Sequence, residues 1–288
     1  MRSSSPRAHR SGSAALAAAF AIALLSFLAG RASVAPSAAR PAAAAASAAA
    51  SAAAQGRGAP LPLPLPPFRF APEVSRVWIN IGSHKDPPLP AAGSPEEAVT
   101  AVVAVEPIVQ TAMRINGSAR GHVHVVAAAV SDAAGFSSME TFNSGASSSL
   151  GEPQPGRWWA QPGAEHRTFG MPRFAFVPVL SLEMLLRAVP EELDIALLKT
   201  DMQGHDHRAV AAAGRAAIRR VRRLVTEVYC GGFVEYGGAR NALEREWLPH
   251  MARMGFALDA GALAPCPPGH VGEADAVWLR VEEAAAAA

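Results

Sequence analysis

Hydrophobic residues in this chain fall into short runs that end in acidic residues, separated by segments of helical periodicity. Ile195, Ala196, Leu197 and Leu198 lead into Lys199, Thr200, Asp201, Met202, Gln203 and Gly204. An apolar run that ends in an acid and a glycine is the pattern of a buried parallel strand delivering a carboxylate to the open edge of an α/β sheet. Residues 101–107 end in Val105, Glu106 and Pro107, and residues 127–132 end in Val130, Ser131 and Asp132. Three acids on one edge, where such folds bind ligands, suggest a nucleoside-type cofactor.

The remaining pattern extends this picture. Strands are expected at 76–81, 101–106, 122–130, 195–200 and 223–228, with a closing strand at 276–281. A helix is expected over 95–99, where Ser94 is placed as N-cap, Pro95 occupies the first helical position and Glu96 and Glu97 complement the helix dipole. Further helices are expected at 108–114, at 181–188 with Ser181 as cap, at 207–220, and over the amphipathic stretch 240–254. Residues 135–173 are rich in Ser, Gly, Pro and Trp and too long for a simple connection. The alternation predicts a mostly parallel sheet with helices on both faces.

Composition divides the chain. Residues 14–30 are uncharged and mostly apolar, and Arg2, Arg7 and Arg10 precede them. This reads as a signal anchor within 1–35 that leaves the N-terminus in the cytosol and the domain in the lumen; a cleaved signal peptide and a transit peptide are the alternatives. Residues 36–67, largely Ala, Ser and Pro, read as a disordered stalk, residues 68–283 as one domain, and 284–288 as an alanine tail. The net charge of +2 averages two unlike parts: seven arginines precede the first acid, Glu73, and 26 Lys and Arg less these seven leaves 19 against 24 Asp and Glu. A domain near −5 argues against general nucleic-acid binding. Cys230 and Cys266 read as two buried thiols, with a lumenal disulfide as the alternative. Asn116-Gly117-Ser118 is a glycosylation acceptor or a turn. The cluster Arg219, Arg220, Arg222 and Arg223 reads as cations complementing a helix end.

Taken in order, Ile79-Asn80-Ile81-Gly82, Val105-Glu106-Pro107, Ala129-Val130-Ser131-Asp132, Val179-Leu180-Ser181-Leu182-Glu183, Leu198 to Gly204, and Val225-Thr226-Glu227 resemble the FkbM-type S-adenosylmethionine-dependent methyltransferases. The resemblance spans about 77–258. It implies a Rossmann-like class I methyltransferase sheet, mostly parallel and seven-stranded, with S-adenosylmethionine as cofactor and O-methylation of a hydroxyl on a glycan or small molecule as reaction. It also implies that Asn80, Gly82 and Ser83 form the first turn beside the cofactor's methionine part. Glu106 accepts from the ribose hydroxyls, Asp132 contacts adenine with Ser131 beside it, and Asp201 lies near the reactive methyl. The chain departs from the family pattern at Asn80, where Asp is usual, at Asp86, where a second glycine is usual, at Pro87 and Pro88, and at Gln203, where Glu is usual.

Methyl transfer from a sulfonium is an in-line displacement helped by a base on the acceptor hydroxyl. His205 is the first candidate base, with Asp201 or Asp206 as base or orienting partner. Trp158, Trp159, Asn143 and Ser147 to Ser149 are candidates for the acceptor side, as is the stretch 228–236. Two other readings fit the same residues: a non-catalytic binding domain that keeps this fold, and a metal-dependent enzyme using Asp201, His205 and His207. Neighbouring positions on a helix point in different directions, which weighs against the metal. The oligomeric state is not legible.

Overall fold

A computed structural model describes residues 65–84, 86–118, 121–141, 148–152, 154, 174–259, 261–262 and 264–282. The expected targeting segment, nearly all of the stalk, Asn143, Ser147, Trp158, Trp159 and the alanine tail lie outside the described residues. Among the described residues no helix is long and apolar enough to cross a membrane. Leu65, Phe68 and Phe70 pack against the core, and the Phe68 amide donates to the Ala188 carbonyl at 2.8 Å. The packed domain therefore takes in at least the last apolar residue of the expected stalk.

The main elements are β1 (Arg76–Ile81), α1 (Pro95–Val99), β2 (Thr100–Val105), α2 (Val109–Ser118), β3 (His122–Val126), β4 (Ala129–Ser131), β5 (Gly135–Glu140), β6 (Phe174–Ser181), α3 (Leu182–Arg187), β7 (Asp194–Thr200), α4 (Asp206–Ile218) and β8 (Val221–Cys230). A π-helical turn (Leu243–Trp247), α5 (Leu248–Met254), β9 (Phe256–Leu258) and β10 (Gly272–Arg280) complete them. One sheet has seven strands in the order β3-β2-β1-β7-β8-β10-β9. β3, β2, β1, β7 and β8 are mutually parallel, whereas β10 is antiparallel to both of its neighbours. The mixed α/β architecture with a mostly parallel seven-stranded sheet flanked by helices is the expected one and is compatible with a Rossmann-like fold.

Local signals explain the element ends. The Ser94 and Ser181 hydroxyls accept from the amides of Glu97 and Met184, each satisfying a helix N–H that lacks an intrahelical partner. α2 runs four residues past the expected Arg114, so Asn116-Gly117-Ser118 lies in an exposed last helical turn rather than a free turn. Residues 240–254 form no continuous helix. They hold the π-helical turn followed by α5, which ends at Gly255 in the left-handed region (φ 87°).

The expected strand 122–130 is divided. β3 stops at Val126, and after a tight turn closed by the Ala128 amide on the Val126 carbonyl the chain enters a separate three-stranded sheet, β4-β6-β5. A run of small alanines carries no pattern that would announce this exit. Ser131 therefore ends β4 of the second sheet and Asp132 follows it, and neither ends β3.

β2 is buried along its whole length, as a strand covered on both faces must be. The core cluster gathers Val77, Ile79 and Val103 from the sheet centre, Leu182, Leu185 and Leu186 of α3, Ala209, Val210 and Ala213 of α4, and Trp247 and Trp278. Each fully buried leucine contributes about 1.5–3 kcal/mol through the area it removes from water. Arg220 donates to the carbonyls of Leu186, Val189 and Pro190, so it satisfies the C-terminal end of α3 rather than that of its own helix.

Cys230 and Cys266 form a disulfide with a Cα–Cα distance of 5.5 Å, which corrects the reading as two thiols. β8 runs two residues past Val228, and at its end Cys230 pairs with Gly272 of the returning β10, bringing the two sulfurs together. A cross-link across 36 residues stabilises by about 4 kcal/mol in the chain-entropy account.

Candidate functional site

The strand order reverses between β1 and β7: β2 and β3 lie to one side, and β8, β10 and β9 to the other. The crevice beyond the carboxyl ends of such strands is where open α/β sheets take ligands. A cavity of about 180 Å³ occupies this place, with Gly82, His84, Glu106 and Asp201 as its polar side and Ala128, Ala129, Val130, Met139 and Leu150 as its apolar side.

Glu106 follows β2 and is buried. One carboxylate oxygen accepts from the His84 amide at 2.8 Å and the other from the Ile108 amide at 2.9 Å, clamping the loops after β1 and β2 together. Burial pushes its pKa up to about 7 against the pull of those two amides, and Asp201 adds to the rise. A carboxylate has about four acceptor sites, so two remain for a ligand.

Gly82 has φ +74°, and a Cβ there would lie 1.8 Å from the Asp201 carbonyl oxygen. The bare backbone is thus already required by the approach of β7's end. Asn80 and Ser83 are buried beside the cavity but turned on each other. The Asn80 side-chain amide donates to the Ser83 hydroxyl, which donates to the Asn80 carbonyl, both at 2.9 Å. Neither lines the cavity.

Asp201 and Gln203 belong together. The Gln203 side-chain amide donates to Asp201 at 2.9 Å and to Glu227 at 3.2 Å, and its oxygen accepts from the Tyr236 hydroxyl at 2.7 Å. Burial and the surrounding acids raise the Glu227 pKa well above its ordinary value. A neutral amide with two N–H groups can bridge two carboxylates; a glutamate there would be a third acid. Gln203→Glu is therefore expected to cost about 2–4 kcal/mol at pH 8. Carboxyls whose folded pKa lies above the unfolded value lose stability as pH rises through that interval, so the deficit should shrink at pH 5.5. Urea unfolding of both proteins at the two pH values checks this, and an equal deficit at both contradicts it.

Asp206 is fully buried. Its two oxygens accept from the Met202 amide at 3.1 and 3.2 Å, and one of them from the Asn241 side chain at 3.3 Å. Burial and Asp201 raise its pKa to about 6. It fastens the turn between β7 and α4 and lines neither the cavity nor the cleft at His205.

His205, at the N-cap of α4, opens onto a second, larger cleft of about 650 Å³ that also takes in Asp132, Arg208, Tyr236, Gly238 and Arg240. The Ser131 hydroxyl donates to Asp132 at 2.9 Å and lies 3.3 Å from His205 Nδ1. A hydroxyl has a single proton, so Nδ1 must carry its own and donate to Ser131, leaving Nε2 with a free lone pair. Burial and Arg208 lower the His205 pKa while Asp132 opposes them, which keeps the ring in its neutral, basic form. Gly151 lies over this nitrogen: a Cβ there would be 3.6 Å from Nε2. Asp132 is held at 2.8 Å by Arg208. The structure thus places Ser131 and Asp132 with His205, in the larger cleft, and does not bring Asp132 into the cavity with Glu106.

His207 also lines this cleft, but its ring stands edge-on to Trp247 and His250, and burial lowers its pKa to about 4. Among the described residues no group of three or more His, Cys, Asp or Glu side chains is arranged to hold a metal ion. Sequence reasoning left out His84, Met139, Arg208 and Arg240. A methionine in a nominal loop or an arginine on a helix carries no mark of a site until the fold places it.

Compared with family models, with curated proteins and with solved structures, the chain matches none.

Proposed function

We propose that the protein is an S-adenosylmethionine-dependent methyltransferase acting on a hydroxyl of a glycan or small molecule. The observation that carries this reading is Glu106: a buried carboxylate beside the Gly82 turn, at the strand-order reversal, with acceptor sites to spare for ribose hydroxyls. The apolar side from Ala128 to Val130, with Met139 and Leu150, suits adenine better than Asp132 does, and Asp201 offers negative charge to a sulfonium. The cavity is smaller than the roughly 300 Å³ at which small-molecule pockets begin, so the reading has its wall at Ser148 to Leu150 draw back when the cofactor binds. The cofactor supplies an electrophilic methyl group. The chain's own residues supply the rest: Glu106 orients, His205 Nε2 takes the acceptor proton, and Ser131 with Asp132 holds the imidazole in the tautomer that can do so. The disulfide suits an oxidising compartment and thereby supports routing through the secretory pathway on an N-terminal membrane anchor.

Calorimetric titration with S-adenosylmethionine and its demethylated product tests the reading. Micromolar binding is expected, weakened at least 100-fold in Glu106→Ala. Because the ligand needs the carboxylate and Glu106 titrates near 7, affinity should rise about tenfold from pH 6 to pH 8. No binding to a folded protein, or binding indifferent to Glu106→Ala, defeats it and leaves the non-catalytic binding domain.

A further inference from the structure

The cleft outside His205 carries more positive charge than a neutral acceptor needs. Arg208 and Arg240 both line it, and Asp132 is its only acidic lining residue among the described residues. Asp132 is engaged by Arg208 through Nε, so this pair does not use the two terminal nitrogens of that guanidinium as its contact. Arg240 makes no hydrogen bond or ion pair among the described residues. Its charge is felt at His207, and that of Arg208 at His205, so the two cations flank the histidine end of α4. Gly238 lies between Tyr236 and Arg240 with φ +75° and open space around it, so backbone can approach a ligand there without a side chain in the way.

We infer that the acceptor carries an anionic group, a carboxylate or a phosphate or sulfate ester, which Arg240 and the free edge of Arg208 hold while a neighbouring hydroxyl faces His205 Nε2. A guanidinium meets such groups through paired N–H donors in one plane, which fixes orientation as well as position. The inference rests on the reading of this cleft as the acceptor side, and it explains why an acidic domain keeps two arginines here. An anion held on one side also sets the register of the hydroxyl against the base, and positioning supplies most of what this reaction needs.

Ligand-observed NMR titration of the full chain with D-glucuronate, glucose 6-phosphate, glucose 6-sulfate and D-glucose tests it. Binding of at least one anionic sugar at least tenfold tighter than glucose is expected, and whichever of the three binds identifies the charged group. Arg240→Gln should weaken that binding at least tenfold and Arg240→Glu abolish it. Arg187→Gln, which removes a cation paired with Glu183 on α3, should leave it unchanged. Equal affinity for glucose and all three anionic sugars, or anion binding that survives Arg240→Glu, overturns the inference. So does binding weakened as much by Arg187→Gln as by Arg240→Gln. S-adenosylmethionine titration of the same variants separates the two readings: loss of anion binding with cofactor binding intact concerns the acceptor alone, and absence of cofactor binding in the unaltered protein concerns the methyltransferase reading alone.

Discussion

Replacing His205 with alanine is expected to lower methyl-transfer turnover by about 10²- to 10³-fold while S-adenosylmethionine affinity stays within about twofold. The expectation follows from the separation of the two hollows. Glu106, Gly82 and Asp201 line one, and His205 lines the other, so the proposed base can be removed without touching the residues proposed to hold the cofactor. Transfer of a labelled methyl group to hydroxylated and anionic sugars measures it. Ser131→Ala leaves the base in place but removes the partner of Nδ1, so it should cost about tenfold and displace the acidic limb of the pH–rate profile, which a merely structural serine would not move. Turnover unchanged in His205→Ala would transfer the proton to Asp201, the remaining acid on the cavity side.

Gly82→Ala is expected to remove more than about 4 kcal/mol, a large part of the 5–15 kcal/mol by which domains are usually stable. Two costs combine. A positive φ of 74° disfavours any side chain by about 1 kcal/mol, and the added methyl would meet backbone, the Asp201 carbonyl oxygen and carbon at 1.8 and 2.8 Å, which a rotamer change cannot relieve. Gly93 is the internal control: its φ is 72° with nothing within 4 Å, so Gly93→Ala should show the conformational cost alone. Urea midpoints of the two variants separate the contributions, and equal losses would mean that β1 and β7 move apart easily.

The central strands were legible because burial on both faces leaves a continuous apolar run: β1, β2 and β7 were expected within a residue of their ends. Glu106 and Asp201 were legible for the same reason, as acids ending such runs. What depends on neighbours distant in sequence was not. The fold brings Tyr236 onto Gln203 across 33 positions, and only the acids around Gln203 explain why a neutral amide stands there. Asp132 was misplaced because two alanines, Ala127 and Ala128, conceal the point where the chain changes sheets. The disulfide depended on β8 running two residues farther than its apolar pattern suggested.

The pairing of Arg76 with Asp194 has a consequence for biosynthesis. β1 leaves the ribosome 118 residues before the strand that covers its second edge, a delay of roughly 6–24 s at ordinary elongation rates. β2 and β3 can join it early, but until β7 arrives that edge stays open, with Val77, Ile79 and Ile81 uncovered, and open apolar strand edges invite pairing with other chains. The crevice is completed by the same late event, so partly made chains would both lack it and be the most prone to aggregate.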